Sequence, residues 1–168
     1  KKLITSISIG VNEDSYELIK NIVIYNVIPD YITIDIAHGH SIKMEKMLKY
    51  IRSISEYNKT FIIAGNISTP EAVKDLTEWG ADAIKVGIAN GSVCTTYPNT
   101  GFGSRDIQAS VVRECALHSR VPIIADGGIT NFCDISKALV MGAKMVMIGG
   151  MLTGFKESPG RIVTGTDG

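Results

Sequence analysis

The stretch Ala83-Ile84-Lys85-Val86-Gly87-Ile88-Ala89-Asn90-Gly91-Ser92-Val93-Cys94-Thr95-Thr96 passes from a short apolar strand into a glycine-bearing loop that holds a cysteine. Glycines let the main chain approach a ligand closely. A cysteine on such a loop is placed to act as a nucleophile, whereas a structural cysteine normally lies on a packed face. We therefore interpret Cys94 as a thiolate nucleophile with a neighbouring threonine hydroxyl to handle a proton. The alternative, a small apolar residue that happens to be cysteine, stays open.

On both sides of this loop the chain alternates between strand-like and helix-like segments. Helix starts are predicted at Asn12, at Ser41 and at Thr69, which is followed by a proline at the first helical position. A helix over about 106–118 carries Ile107, Val111 and Cys115 as its apolar stripe. The apolar runs predict strands over 3–9, 31–37, 61–64, 83–86, 121–125 and 144–148. Strict alternation of this kind predicts a parallel sheet covered by helices.

Polar or glycine clusters follow five of the six predicted strands. Both a (β/α)8 barrel and a doubly wound sheet place ligands at the carboxyl ends of strands, but only a ring brings five such ends to one centre. We therefore predict a TIM barrel, with residues 1–168 as one incomplete catalytic barrel domain of about six β/α units. A closed barrel has eight units, so roughly two are expected before Lys1, where the sequence also lacks a methionine. The clusters are Asp35, Gly65-Asn66, Gly91 to Thr96, Asp126 to Gly128 and Gly149-Gly150.

Composition excludes several classes of protein. The 168 residues carry no net charge and are 45% hydrophobic, which suits one globular domain. The sequence has no basic run of the kind that predicts nucleic-acid binding. No apolar run reaches the roughly 18 residues that span a bilayer. Three cysteines without a CxxC pair argue against a disulfide framework and a structural zinc site. We therefore expect a protein of a reducing compartment such as the cytoplasm, without a nucleic-acid or membrane partner.

Double glycines after consecutive strands suggest a phosphate site. In Asp126-Gly127-Gly128 and Gly149-Gly150, neighbouring backbone N–H groups could cradle a phosphate, and Asp126 could accept hydrogen bonds from ribose hydroxyls. The alternative is that these glycines only make tight turns.

The sequence offers two candidate ion sites. Asp35 with His38 and His40 is a weak metal motif because no further ligand is evident, and Asp35 is a better candidate for orienting a ligand. Main-chain carbonyls near Cys94 could instead bind a monovalent cation.

Several motifs, in order, resemble the IMP dehydrogenase/GMP reductase family. These are Gly87 to Thr96, then Ile124 to Ile129, then Met147 to Leu152. Further segments are similar to the bacterial GMP reductase branch of that family, and together the motifs cover nearly the whole chain. Those segments are Tyr31 to Ser41, Ala64 to Asn66, Thr100 to Gly103 and Glu157 to Gly160.

The resemblance implies a barrel that assembles as a homotetramer and reduces GMP to IMP and ammonia with NADPH. It implies that Cys94 attacks purine C2 to form a covalent thioimidate and that Thr96 relays a proton. It further assigns the nucleotide to Ser92, Asp126, Gly127, Gly128, Gly149 and Gly150, the nicotinamide cofactor to Asp35, Ile36, Ala37, Ile88 and Ala89, and a potassium ion to the carbonyls of Ala89, Gly91 and Cys94.

The chain departs from the family pattern at three places. Ala89-Asn90 stands where a Gly-Pro pair is usual, and Phe155-Lys156 replaces a His or Thr followed by Glu. The family's mobile flap, with the glutamate that partners the threonine, is expected after Gly168. Two alternatives stay open: IMP dehydrogenase, which oxidises IMP with NAD⁺ to XMP, and a barrel that binds a phosphorylated ligand without turnover.

Overall fold

Six parallel strands, each followed by helical structure, form the core of the computed structural model, which describes residues 3–161. The units expected before Lys1 and the flap expected after Gly168 lie outside these residues. Every neighbouring pair of strands is parallel, and the order in the sheet is β1-β2-β3-β4-β5-β6. The strands are β1 (Ser6–Ile9), β2 (Tyr31–Asp35), β3 (Phe61–Ile67), β4 (Ala83–Val86), β5 (Ile123–Asp126) and β6 (Met145–Met147).

The strand order separates the two architectures that alternation alone leaves open. A doubly wound sheet reverses direction at a switch point, so its order is not consecutive. Here each strand pairs with the next along the chain, as in a barrel. The chain therefore forms six β/α units of a TIM barrel, as the sequence predicts.

The helices begin where side-chain caps satisfy their first backbone N–H groups. The side chains of Asn12, Ser41 and Thr69 accept hydrogen bonds from Ser15, Met44 and Ala72 N–H groups, which confirms the three predicted starts. The helices are α1 (Glu13–Ile24), α2 (Ile42–Arg52), α3 (Pro70–Glu78), α4 (Thr96–Thr100), α5 (Gln108–Leu117) and α6 (Phe132–Val140), with 3-10 turns at Ser55–Tyr57, Arg105–Ile107 and Gly150–Leu152.

The main hydrophobic core lies between the sheet and the helices. Alternate residues of β2 and β3, such as Ile32, Ile34 and Ile62, are fully buried together with apolar residues of α2 and α3. Their intervening neighbours face the other side of the sheet because side chains alternate along a strand. That second face is where polar residues such as Asp35 and Lys85 are placed.

Arg52 links the amino-terminal ends of β3 and β4. Its guanidinium donates to the carbonyls of Gly80 (2.8 Å) and Thr60 (3.2 Å) and lies 2.5 Å from the Asp82 carboxylate. Asp82 also accepts the N–H of Ile62 at 2.7 Å. This network fixes the end of the sheet opposite to the predicted ligand sites.

The structure corrects several predicted boundaries. Strand β3 continues through Gly65-Asn66 to Ile67, β2 ends at Asp35, and β5 begins only at Ile123. The helix predicted from about residue 106 begins as a 3-10 turn, and its α-helical part starts at Gln108. The tighter turn changes the helical phase, so Ile107 is exposed and does not join the buried stripe.

Within residues 3–161, none of the helices combines the length and the hydropathy needed to cross a bilayer.

Candidate active site

A cavity of about 350 Å³ opens at the carboxyl ends of β2 to β5. The carboxyl ends of these four strands lie side by side because the strands are parallel. The cavity brings together Cys94 and Thr96, the five residues predicted to contact a nicotinamide, and Asp126. Its lining residues are Asp35, Ile36, Ala37, Asn66, Lys85, Gly87, Ile88, Ala89, Asn90, Gly91, Cys94, Thr96 and Asp126.

Cys94 is half-buried on this cavity and lies just before the short helix α4. Its backbone N–H donates to the Gly91 carbonyl at 3.0 Å, which closes a tight turn around the cysteine. Hydrogen bonds from the side chain and the backbone of Thr96 lower the pKa of the Cys94 thiol, and they outweigh the opposing effects of burial and of the Asp126 charge. Thr96 therefore favours the thiolate, which is the nucleophilic form.

The base of the cysteine loop is fixed by a buried polar network. The Ser104 hydroxyl accepts the N–H of Ile88 at 3.0 Å and contacts the Asn90 side chain. The Gln108 amide donates to the carbonyls of Val86 (3.0 Å) and Asp126 (3.3 Å). The loop that carries Cys94 is thus tied to β4, to β5 and to the start of α5.

Gly87 allows β4 and β5 to approach each other at the point where the cysteine loop begins. Its φ is +137°, and a Cβ atom there would lie 2.3 Å from the Asp126 carbonyl oxygen. Any larger residue would therefore separate the two strand ends.

Lys85 lies in the middle of β4 and carries its ammonium into the cavity wall. It forms ion pairs with Asp35, at 3.0 Å, and with Asp126. The side-chain amide of Asn66 donates to Asp126 at 2.8 Å and to the Gly87 carbonyl at 2.6 Å. One connected set of polar groups thus joins β2, β3, β4 and β5.

The predicted phosphate-binding glycines lie beside the cysteine loop rather than on the cavity itself. Gly127, with φ +81°, packs so closely on Asn90 that a Cβ atom would lie 2.8 Å from the Asn90 Cβ. A Cβ on Gly150 would lie 3.7 Å from the Ser92 hydroxyl. Gly128 and Gly149, the other members of the predicted nucleotide set, stand next to them in the same two turns.

The two loop histidines do not form a metal cluster with Asp35. The Nε2 atom of His40 lies 2.8 Å from the Asp75 carboxylate, and the His40 ring contacts Trp79 with centroids 5.9 Å apart. Among residues 3–161 no group of three or more His, Cys, Asp and Glu side chains is arranged to hold a metal ion. His40 serves instead to attach the loop after β2 to helix α3.

The other two cysteines stand in different environments. Cys115 is fully buried in α5, and burial raises the pKa of its thiol to about 12. Cys133 is exposed on α6. Within the described part of the chain, Cys94 is the cysteine on the cavity.

Sequence reasoning does not identify Lys85 or the buried network around Ser104, and it does not give the partners of Asn66. The sequence does contain a signal for Lys85, because a charged residue inside a buried apolar strand requires a partner. The sequence places Asn66 among the polar residues that follow strands. Its two partners, Asp126 and the Gly87 carbonyl, are known only from the position of Asn66 within β3. Nothing in the sequence connects Ser104 with the cysteine loop.

The lining of the cavity is suited to a nicotinamide ring, and one carbonyl of the cysteine loop keeps a lone pair that a cation could use. The cavity offers an apolar wall from Ile36, Ala37 and Ile88 beside the Asp35 carboxylate, a combination suited to a ring that carries a polar carboxamide. The Gly91 carbonyl retains a second lone pair after it accepts the Cys94 N–H, so it can also serve a cation.

Comparison with known proteins identifies relatives of this chain. The sequence model of the IMP dehydrogenase / GMP reductase domain matches residues 1–168. A protein named GMP reductase from Mesoplasma florum is 49% identical over 164 residues, which are 98% of this chain and 51% of that protein. Another from Oceanobacillus iheyensis is 51% identical over 161 residues, which are 96% of this chain and 49% of that protein. The chain thus spans about half the length of the curated relatives it matches.

Solved structures agree with the sequence comparison. The crystal structure of a GMP reductase variant from Trypanosoma brucei in complex with guanosine 5'-monophosphate superposes with a TM-score of 0.88 at 38% identity. The match covers 98% of this chain and 34% of that one.

Proposed function

The chain belongs to the IMP dehydrogenase / GMP reductase family, and we propose that it is the part of a GMP reductase that carries the catalytic cysteine. The observation that supports this most is the position of Cys94. Its thiol, with a pKa lowered by Thr96, faces the cavity at the strand ends. Relatives that are 49% and 51% identical in sequence are named GMP reductase, and one similar crystal structure contains guanosine 5'-monophosphate.

The first half of the reaction is the removal of ammonia. The C2 carbon of guanine bears an amino group between two ring nitrogens and is therefore electrophilic. The Cys94 thiolate forms a bond to C2, and the amine leaves as ammonia after it has taken up a proton that the Thr96 hydroxyl relays. The purine remains bonded to sulfur as a thioimidate.

The second half is reduction at the same carbon. NADPH supplies the hydride when it is bound. As C2 receives that hydride, the C–S bond breaks, its electron pair returns to sulfur, and IMP is released with the Cys94 thiolate restored. Asp35, Ile36, Ala37, Ile88 and Ala89 line the side of the cavity that the proposal assigns to the cofactor.

The nucleotide is held away from the reacting carbon. In the proposal Asp126 accepts hydrogen bonds from the ribose hydroxyls, while Ser92 and the turns at Gly127-Gly128 and Gly149-Gly150 bind the phosphate. Binding energy from the phosphate orients C2 toward the sulfur.

The test uses the full-length enzyme and follows NADPH absorbance after GMP is added. We expect GMP-dependent NADPH loss, abolished by Cys94→Ala and retained by the matched variant Cys133→Ala, whose thiol is exposed on α6. Acid-quenched samples without cofactor should carry a purine nucleotide on the peptide that contains Cys94. Absence of GMP-dependent turnover in a folded wild type would reject the proposal, and NAD⁺ reduction driven by IMP would select IMP dehydrogenase instead.

The proposal extends to a homotetramer in the cytoplasm with a potassium ion bound by carbonyls of Ala89, Gly91 and Cys94. Light scattering tests the tetramer. Replacement of potassium by sodium in the assay tests the ion, and a rate that does not change would count against it.

A further inference from the structure

Lys85 is the buried cation of the cavity wall. Only 2% of its side chain is exposed, and among residues 3–161 it is the one charged residue that is buried. A buried ammonium is costly unless it is paired. Its partners are two carboxylates on different strands, Asp35 on β2 and Asp126 on β5.

The sheet register explains how Lys85 reaches Asp35 across an intervening strand. Asp35 pairs with Gly65, and Gly65 pairs with Lys85, so the three residues form one row across β2, β3 and β4. A Cβ atom on Gly65 would lie 2.6 Å from the Lys85 Cβ. The middle position of the row is therefore kept free for the lysine side chain.

We propose that Lys85 is a positioning residue that holds Asp35 and Asp126 at a fixed spacing and thereby serves the nucleotide and the cofactor together. The proposal rests on the proposed function, which gives Asp126 to the nucleotide ribose and Asp35 to the cofactor. A single side chain then sets the geometry of both subsites.

If Lys85 acts through its charge, its removal should change how ligand binding depends on pH, which the loss of a packing contact alone would not do. The titratable groups on the cavity are Asp35 from β2, Lys85 from β4, Asp126 from β5 and Cys94 from the loop after β4, and Asn66 from β3 adds a neutral donor to Asp126. Two neighbouring carboxylates without a cation between them repel each other and tend to share a proton. Removal of the ammonium should therefore make ligand binding depend on protons.

The experiment measures binding to the full-length enzyme by calorimetry, with GMP alone and NADPH alone, from about pH 6 to about pH 8. Lys85→Met keeps the length of the side chain and removes its charge. The control is Lys137→Met, whose ammonium is exposed and pairs with Asp134 on α6. We expect Lys85→Met to bind both ligands about tenfold more weakly at the higher pH. Its affinity for GMP should fall further toward the lower pH with proton release on binding, whereas wild type and Lys137→Met stay parallel.

Two further variants complete the test. Lys85→Met combined with Asp35→Asn removes one of the two repelling charges, so the added pH dependence should disappear. Asp35→Asn alone should change the affinity for GMP measured without cofactor, because Lys85 loses one of its two charged partners and its interaction with Asp126 changes. This variant also tests the proposal if Lys85→Met does not fold.

The proposal is overturned if Lys85→Met binds both ligands like wild type, if its pH profile runs parallel to wild type, or if Asp35→Asn leaves GMP binding unchanged. A wild type that consumes no NADPH with GMP would count against the proposed function instead. An active wild type with an unaffected Lys85→Met variant would count against Lys85 alone.

Discussion

The side-chain amide of Asn66 donates a hydrogen bond of 2.8 Å to the carboxylate of Asp126 and so connects β3 to β5 across β4. The same amide donates to the Gly87 carbonyl at 2.6 Å, at the point where the cysteine loop leaves β4. Together with Lys85, Asn66 therefore fixes the position of the proposed ribose acceptor relative to the loop of the proposed nucleophile.

Asn66→Ala should weaken GMP binding. Loss of a hydrogen bond to a charged acceptor costs about 1.5–3 kcal/mol, which corresponds to a KM for GMP raised about tenfold or more. Steady-state kinetics on the full-length enzyme checks this. Asn58→Ala, in the turn after Ser55–Tyr57 and remote from the cavity, is the control, and an unchanged KM in Asn66→Ala would show that Asp126 does not depend on Asn66.

Thr96→Val should make Cys94 less reactive at neutral pH. The threonine hydroxyl is the largest cause of the lowered pKa of the Cys94 thiol, and valine keeps the shape without the donor. A thiol whose pKa is lowered is ionised at lower pH, so removal of the cause shifts the curve upward. Alkylation of Cys94 followed by mass spectrometry should therefore reach its half-maximal rate at higher pH in the variant, and coincident curves would contradict the role of Thr96.

Cys115 should resist alkylation in the folded protein. Burial raises the pKa of its thiol to about 12, so it is neither ionised nor accessible near neutral pH. Peptide mapping after brief labelling should find the reagent on Cys94 and Cys133 and reach Cys115 only after denaturation. Early labelling of Cys115 would mean that α5 opens readily from the sheet.

Arg52→Met should lower the free energy of unfolding by about 1.5–3 kcal/mol, because the variant removes the hydrogen bonds that Arg52 donates to Asp82 and to two backbone carbonyls. Lys49→Met is the control. Lys49 forms an exposed i,i+4 pair with Glu45 on the same helix, and its loss should cost about 0.3–0.5 kcal/mol. Urea denaturation measures both values, and equal midpoints for the two variants would contradict the structural role of Arg52.

The sequence alone predicts the fold well because its signals are local. Asn12, Ser41 and Thr69 start their helices by capping N–H groups three residues away, and such contacts can be read from the chain. The boundary errors arise where pairing between strands overrides the local signal. Gly65-Asn66 looks like the end of a strand, but its backbone pairs onward with β2 and β4.

Sequence alone suggests a site residue only where the residue type and its immediate neighbours indicate a particular chemistry. Cys94 on a glycine loop does so, and so does Asp126 before two glycines. The roles of three other residues depend on distant partners. Lys85 and Asn66 contact Asp126, which lies 41 and 60 residues away in sequence, and Ser104 contacts Ile88, which lies 16 residues away. Such pairings depend on the strand register, which a single sequence does not give.

The row Asp35, Gly65 and Lys85 has a consequence for attempts to redesign the protein. The three residues depend on one another, so a substitution of Asp35 alone would leave the buried Lys85 ammonium with one carboxylate partner instead of two. Gly65, which touches no proposed ligand, would resist substitution as firmly as the acidic and basic residues beside it. Libraries that randomise these three positions jointly should yield folded variants in which the three residues change together.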